Sequence, residues 1–274
     1  MSELSAPETL PRGRVTWQKA PGVALLTLTN PPANGYSYDM MRDLDEAVLR
    51  ARMDDDVHVI VLRGAGEKFF CAGADIQMLQ TVTPRYKYYF CLHANETLVR
   101  LEQTPKLVIA ALNGHCVGGG LEVALAADLR WARQGAGKVG LPEVNLGVLP
   151  GTGGTQRLVR LVGKSAAIEL MATGELFGFD EAHRRGLVND VIPADSADVF
   201  LEVVKKRARA FVPPARASKA VGLIKRAVQS GAESSLAEGL ALERELQQQL
   251  FESEDAREGI AAHNERRRPA FKGR

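Results

Sequence analysis

Two glutamates stand in surroundings that an ordinary surface carboxylate does not need. Glu122 is the only charged residue between His115 and Asp128, in the apolar run Leu121-Glu122-Val123-Ala124-Leu125-Ala126-Ala127. Glu143 is the only one between Lys138 and Arg157, in Gly140-Leu141-Pro142-Glu143-Val144-Asn145-Leu146-Gly147. Burying an ionised carboxylate is costly unless the group is paired or its pKa rises. A carboxyl group with a raised pKa can both give and take a proton near neutrality, which points to acid–base chemistry. On spacing alone the other reading is equally open: each glutamate points out through a gap in the core or caps a loop.

Glycines supply a second chemical element. Gly118-Gly119-Gly120 directly precedes an apolar helical stretch, so several main-chain N–H groups at that helix start lack intrahelical partners. A polarised or anionic oxygen is favoured at such a place, and glycine lets a ligand approach the backbone closely. The segment Phe70-Cys71-Ala72-Gly73-Ala74-Asp75-Ile76 offers a further donor, with Asp75 fitting the N-cap of the helix that follows. Donors from two loops make an oxyanion hole, in which each is worth roughly 3–4 kcal/mol in a transition state.

The elements that must position these groups alternate along the chain. Residues 23–29 read as a strand stopped by Asn30-Pro31-Pro32, and residues 39–53 carry helical periodicity through Met40, Leu44, Ala47, Val48 and Ala51. Residues 57–63 and 107–112 are short continuous apolar runs, as expected of strands covered on both faces. Residues 84–102 read as a helix, and residues 121–127 as the apolar helix carrying Glu122. This is the order of crossover units around a mostly parallel sheet, an α/β fold. After about Pro193 strand signals stop, and Leu236, Leu240, Leu246 and Leu250 are spaced for one or two packed helices. The basic end, Arg266-Arg267-Arg268 with Lys272 and Arg274, reads either as a solvated terminus or as an anion contact.

Three blocks then carry a family resemblance: Phe69-Phe70-Cys71-Ala72-Gly73-Ala74-Asp75-Ile76, Asn113-Gly114-His115-Cys116-Val117-Gly118-Gly119-Gly120-Leu121-Glu122, and residues 141–158 from Leu141-Pro142-Glu143 to Gly153-Gly154-Thr155-Gln156-Arg157-Leu158. Together they resemble the signature blocks of the enoyl-CoA hydratase (crotonase) family, over roughly residues 12–274. The resemblance implies a crotonase-like spiral of ββα turns over residues 14–195, a flexible tail over 1–13, and a helical trimerisation region over 196–274, assembled as a homotrimer or homohexamer. It implies that the N–H groups of Ala74 and Gly119 polarise a thioester carbonyl, that Glu122 activates water as general base, and that Glu143 protonates the α-carbon as general acid. It further implies coenzyme A contacts at Lys68, Ala72, Asp75 and Ile76, and an acyl pocket including Tyr36, Leu146, Pro150 and Gly151. The implied activity is hydration of a trans-2-enoyl-CoA, with no cofactor beyond the coenzyme A of the substrate.

Two departures from the family pattern bear on that activity. Asn34-Gly35-Tyr36-Ser37-Tyr38 replaces the common Asn-Ala-Leu, so that Tyr36 and Tyr38 either narrow the acyl pocket, offer it a hydroxyl, or simply pack. Gln77 stands where lysine is frequent. Alternatives on the same scaffold are 3-methylglutaconyl-CoA hydration and enoyl-CoA isomerisation; retention of both glutamates favours hydration over isomerisation.

Composition bounds the other classes. With 274 residues, 45% hydrophobic, 25% charged and a net charge of +2, the chain reads as a globular domain without the basic stripe of a nucleic-acid binder, and RNA binding is kept as the reading of another class. Cys71, Cys91 and Cys116 form no CxxC pair and no HExxH is present, so neither a disulfide framework nor a zinc site is expected. Gly114, Gly118 and Gly120 imitate a dinucleotide loop, but Glu122 is a poor neighbour for pyrophosphate. No GxSxG is present for a serine hydrolase. No secretory h-region or eighteen-residue apolar run is found, which gives a cytoplasmic expectation with no membrane partner.

Overall fold

The apolar runs fold into strands whose alternate side chains serve two cores. The computed structural model describes residues 4–274, and of Ile76 and Gln77 the backbone alone. In chain order the strands are β1 (Glu8–Thr9), β2 (Val15–Ala20), β3 (Gly22–Leu28), β4 (Val57–Gly64), β5 (Phe69–Cys71), β6 (Leu107–Leu112), β7 (His115–Val117), β8 (Leu129–Arg133), β9 (Lys138–Gly140), β10 (Phe177–Gly178) and β11 (Asp190–Ile192). One sheet runs β1-β2-β3-β4-β6-β8-β11, parallel from β3 onward, and a smaller one runs β10-β9-β7-β5. This is the mixed α/β architecture expected.

On the large sheet Ala24, Leu26, Leu28, Ile60, Leu62, Val108, Ala110 and Leu112 face one core, and Val23, Leu25, Val59, Val61, Leu107, Ile109 and Ala111 face the other. Successive side chains leave a strand on opposite faces, so only a run apolar at every position can serve both. Helices α1 (Tyr38–Met53), α2 (Ile76–Thr81), α3 (Pro84–Gln103), α4 (Gly119–Leu125) and α5 (Gly154–Val162) follow the crossovers. Side chains of α1, α3, α4 and α5 all enter the first core. Ser37 caps α1 and Thr83 caps α3, each through its hydroxyl.

The remaining helices are α6 (Lys164–Thr173), α7 (Phe179–Arg184), α8 (Ala197–Ala208), α9 (Ser218–Ala232), α10 (Leu236–Phe251) and α11 (Glu254–Asn264). Residues 8–9 pair with β2 and Leu10 is buried, so the flexible tail expected over 1–13 does not extend over this stretch. At the other boundary, α8 places Phe200, Leu201, Val204 and Ala208 in the second core of the main sheet.

α9 is tied to the core by a buried ion pair, Lys225 Nζ to Asp128 at 2.9 Å, and Lys225 also donates to the Lys106 carbonyl at 3.0 Å. On α10 Leu246 is buried while Leu236 and Leu240 are exposed. The basic terminus folds back on its own helix: Arg267 pairs with Glu258 at 2.6 Å, and both Lys272 and Arg274 pair with Glu254. No helix among the described residues is long and apolar enough to cross a membrane.

Candidate active site

The loop after β3 is fastened by Asn34. Its backbone takes φ 51°, a left-handed conformation that asparagine tolerates, and its amide donates to the Ala65 and Phe69 carbonyls at 2.9 and 3.0 Å. Held there, Tyr36 bridges the strand-like segment after β5. Its N–H donates to the Gly73 carbonyl at 2.8 Å, and the Asp75 N–H donates to the Tyr36 carbonyl at 3.3 Å. In such a parallel pairing Tyr36 bonds to the neighbours of Ala74, which leaves the N–H of Ala74 turned to the other side.

The start of α4 lies against this segment. A side chain begun at Gly73 would come within 3.2 Å of the Gly119 nitrogen, so the two loops are in contact. Gly119 is the first residue of α4, where an N–H has no intrahelical acceptor. Gly118 has φ +57°, and a Cβ on it would sit 2.8 Å from a carboxylate oxygen of Glu143. A Cβ on Gly119 would sit 1.8 Å from the Tyr36 ring. Both positions require glycine.

Glu122, one turn into α4, is 1% exposed. Three donors from the loop before α5 and the first residue of that helix meet its carboxylate: the Thr152 N–H at 2.6 Å and the Gly154 N–H at 2.7 Å on Oε1, and the Thr152 hydroxyl at 2.7 Å on Oε2. A shell made only of donors suits an ionised carboxylate, which only accepts. Thr152 is itself buried, and its hydroxyl lies 2.7 Å from that of Tyr36. Tyr36 stacks on Phe90 of α3 at a 5.4 Å centroid distance.

Glu143 opens a short 3-10 turn, Glu143–Leu146, and has different surroundings. Burial pushes its carboxyl up to about 7, helped by the charge of Glu122 and opposed by its own main-chain N–H and by Lys87. Among the described residues its Oε2 is buried with no hydrogen-bond partner. The two glutamates therefore border one place, the start of α4, with one carboxyl surrounded by donors and the other poorly solvated.

The other expected residues distribute unevenly. Asp75 caps α2, accepting from the Met78 N–H at 3.3 Å. The N–H of Ala72 donates to the Ala33 carbonyl at 3.1 Å. Lys68 is exposed, its ammonium 5.4 Å from the Phe69 ring centroid. The side chains of Ile76 and Gln77 lie outside the described residues. Leu146 is exposed. Pro150 and Gly151 line a groove of about 1100 Å³ shared with Val99 of α3, Arg157 of α5 and Val228 of α9, and neither glutamate lines it. The hydroxyl of Tyr36 bonds to that of Thr152. Tyr38 sits on α1 beside Arg42 and His93. Reading the residues missed Thr152, although it lies in a block already marked; a hydroxyl in a glycine loop carries no sequence signal of its partner. Among the described residues no group of three or more His, Cys, Asp or Glu is arranged to hold a metal.

The enoyl-CoA hydratase/isomerase family model matches residues 18–274. A short-chain-enoyl-CoA hydratase of Clostridium acetobutylicum is 37% identical over 263 residues, covering 95% of this chain and 98% of that protein. An (E)-benzylidenesuccinyl-CoA hydratase of Thauera aromatica is 39% identical over 261 residues, covering 94% and 99% respectively. A crystal structure of an enoyl-CoA hydratase from Geobacillus kaustophilus superimposes with a TM-score of 0.92 at 42% identity, over the whole of both chains.

Proposed function

This chain belongs to the enoyl-CoA hydratase/isomerase family, and from that premise we propose that it adds water reversibly across the double bond of a trans-2-enoyl-CoA. The observation that carries the reading is the contrast between two carboxyls at one helix start. Glu122 is ringed by donors, while Glu143 is raised to about 7 by burial. Carboxyls whose environments are pushed apart divide naturally into a base and an acid.

In the proposed reaction the N–H groups of Ala74 and Gly119 hold the thioester oxygen. Water attacks the β-carbon as Glu122 takes its proton, and negative charge collects on the held oxygen. Glu143 then gives its proton to the α-carbon. The product is a 3-hydroxyacyl-CoA, and exchange with solvent restores both carboxyls. Electrons are only redistributed within the substrate, so the scheme calls for no redox partner.

Coenzyme A contacts at Lys68, Ala72, Asp75 and Ile76, and an acyl pocket including Leu146, Pro150 and Gly151, belong to the same proposal. A second reading, an acyl group bearing its own carboxylate, is favoured by Lys87, a half-buried cation close enough to Glu143 to lower it. The test is loss of the conjugated enoyl chromophore on a panel of thioesters. Crotonyl-CoA consumed with formation of the 3-hydroxy product supports the first reading, and preference for a dicarboxylic enoyl-CoA supports the second. Migration of a 3-enoyl double bond without hydration would overturn both.

A further inference from the structure

Tyr36, Thr152 and Glu122 form a buried file of oxygens, each 2.7 Å from the next, and all three residues are at most 3% exposed. The file joins three separate elements: the loop after β3, the loop before α5, and α4. Proton accounting fixes its direction. The Thr152 hydroxyl has one hydrogen and two oxygen neighbours. An ionised Glu122 donates nothing, so that hydrogen goes to Glu122 Oε2 and the remaining bond, Tyr36 to Thr152, must be donated by the phenol.

We propose that Tyr36 and Thr152 are positioning residues for Glu122, acting in series: the phenol orients the threonine hydroxyl, and that hydroxyl fixes the carboxylate plane for taking the proton of water. The inference rests on the hydration reading above. Burial and the charge of Glu122 together push the phenol well above its ordinary range, so it keeps its proton and remains a donor. The two main-chain bonds grip Oε1 alone and leave rotation about that oxygen to be stopped by Thr152 at Oε2. An unoriented hydroxyl would satisfy Oε2 only part of the time.

The test compares Tyr36→Phe, Thr152→Val, Thr152→Ser, the Phe/Val double variant and Glu122→Gln on one enoyl-CoA. Tyr36→Phe keeps the ring stacked on Phe90 and removes only the hydroxyl. A hydrogen bond to a charged group corresponds to a factor of about 10 to 100, so kcat is expected to fall about tenfold in Tyr36→Phe and up to about a hundredfold in Thr152→Val, with KM within about twofold. Thr152→Ser, which restores the hydroxyl, is expected within about threefold of wild type. The double variant is expected to match Thr152→Val alone, because a chain in series is broken only once.

Wild-type kcat in Tyr36→Phe or Thr152→Val, with Glu122→Gln inactive, would overturn the chain while leaving the hydration reading intact. Multiplying effects in the double variant would overturn the series arrangement. An active Glu122→Gln would instead remove the underlying reading. Should Tyr36→Phe fail to fold, the Thr152→Val and Thr152→Ser pair leaves the ring in place and still decides whether the hydroxyl at Oε2 matters.

Discussion

At the scale of single residues, the proposed division of labour follows from how each carboxyl is surrounded. Glu122 lies deeper, at 1% exposure, yet three donors compensate its charge. Glu143 is only partly covered but, among the described residues, has an oxygen without a hydrogen-bond partner, and it is raised to about 7. A general acid must hold its proton before it can give it. For hydration, kcat/KM is therefore expected to fall about tenfold per unit above about pH 7, following the free enzyme's Glu143. A profile flat across about pH 6 to 9 would remove Glu143 as the acid. Both glutamates were legible as isolated charges in apolar runs, but only the run around Glu122 is buried; Val144, Leu146 and Val148 beside Glu143 are exposed. Thr152 and the phenol of Tyr36 were not legible, since neither departs from what a loop or a core allows.

At the scale of elements, the start of α4 fits against Tyr36 because its first residue has no side chain. Gly119→Ala would put a carbon 1.8 Å from the Tyr36 ring, so either the ring or the start of α4 must move. Tyr36 is fastened on one side by Asn34 and on the other by Phe90, which leaves the helix start to shift. Loss of one oxyanion donor typically costs about 100- to 1,000-fold, and a fall of that order in the kcat of folded Gly119→Ala is expected. Near-wild-type turnover would contradict the placement of the oxygen there. The glycine cluster and the helix after it were readable in the sequence, as were β4, β6 and α3 to within a residue or two. Their mutual contacts were not. Periodicity reports which face of an element is covered, whereas the meeting of Tyr36 with Gly119 depends on how two distant loops cross.

At the scale of the whole molecule, two cores cover the two faces of one sheet, and Tyr36, Phe90 and Leu121 beside the site belong to the first of them. The alternation of Ile60 and Val61, or of Val108 and Ile109, between those cores explains why the strands are apolar throughout. It also explains why α8 had to belong to the sheet: the second face needs a cover, and Phe200, Leu201 and Val204 supply it. A boundary drawn where strand signals end could not reveal this, because helical spacing does not say which surface a helix covers. In the proposed reaction Glu122 and Glu143 act on one water. The most direct test is to compare Glu122→Gln and Glu143→Gln with the wild type on crotonyl-CoA, after circular dichroism shows that both are folded. Each is expected to lose about a thousandfold or more in kcat, a loss of the order seen when groups act as a unit, and the double variant is expected to be no worse than the weaker single one. Wild-type turnover in either folded variant would contradict a mechanism that uses both carboxyls.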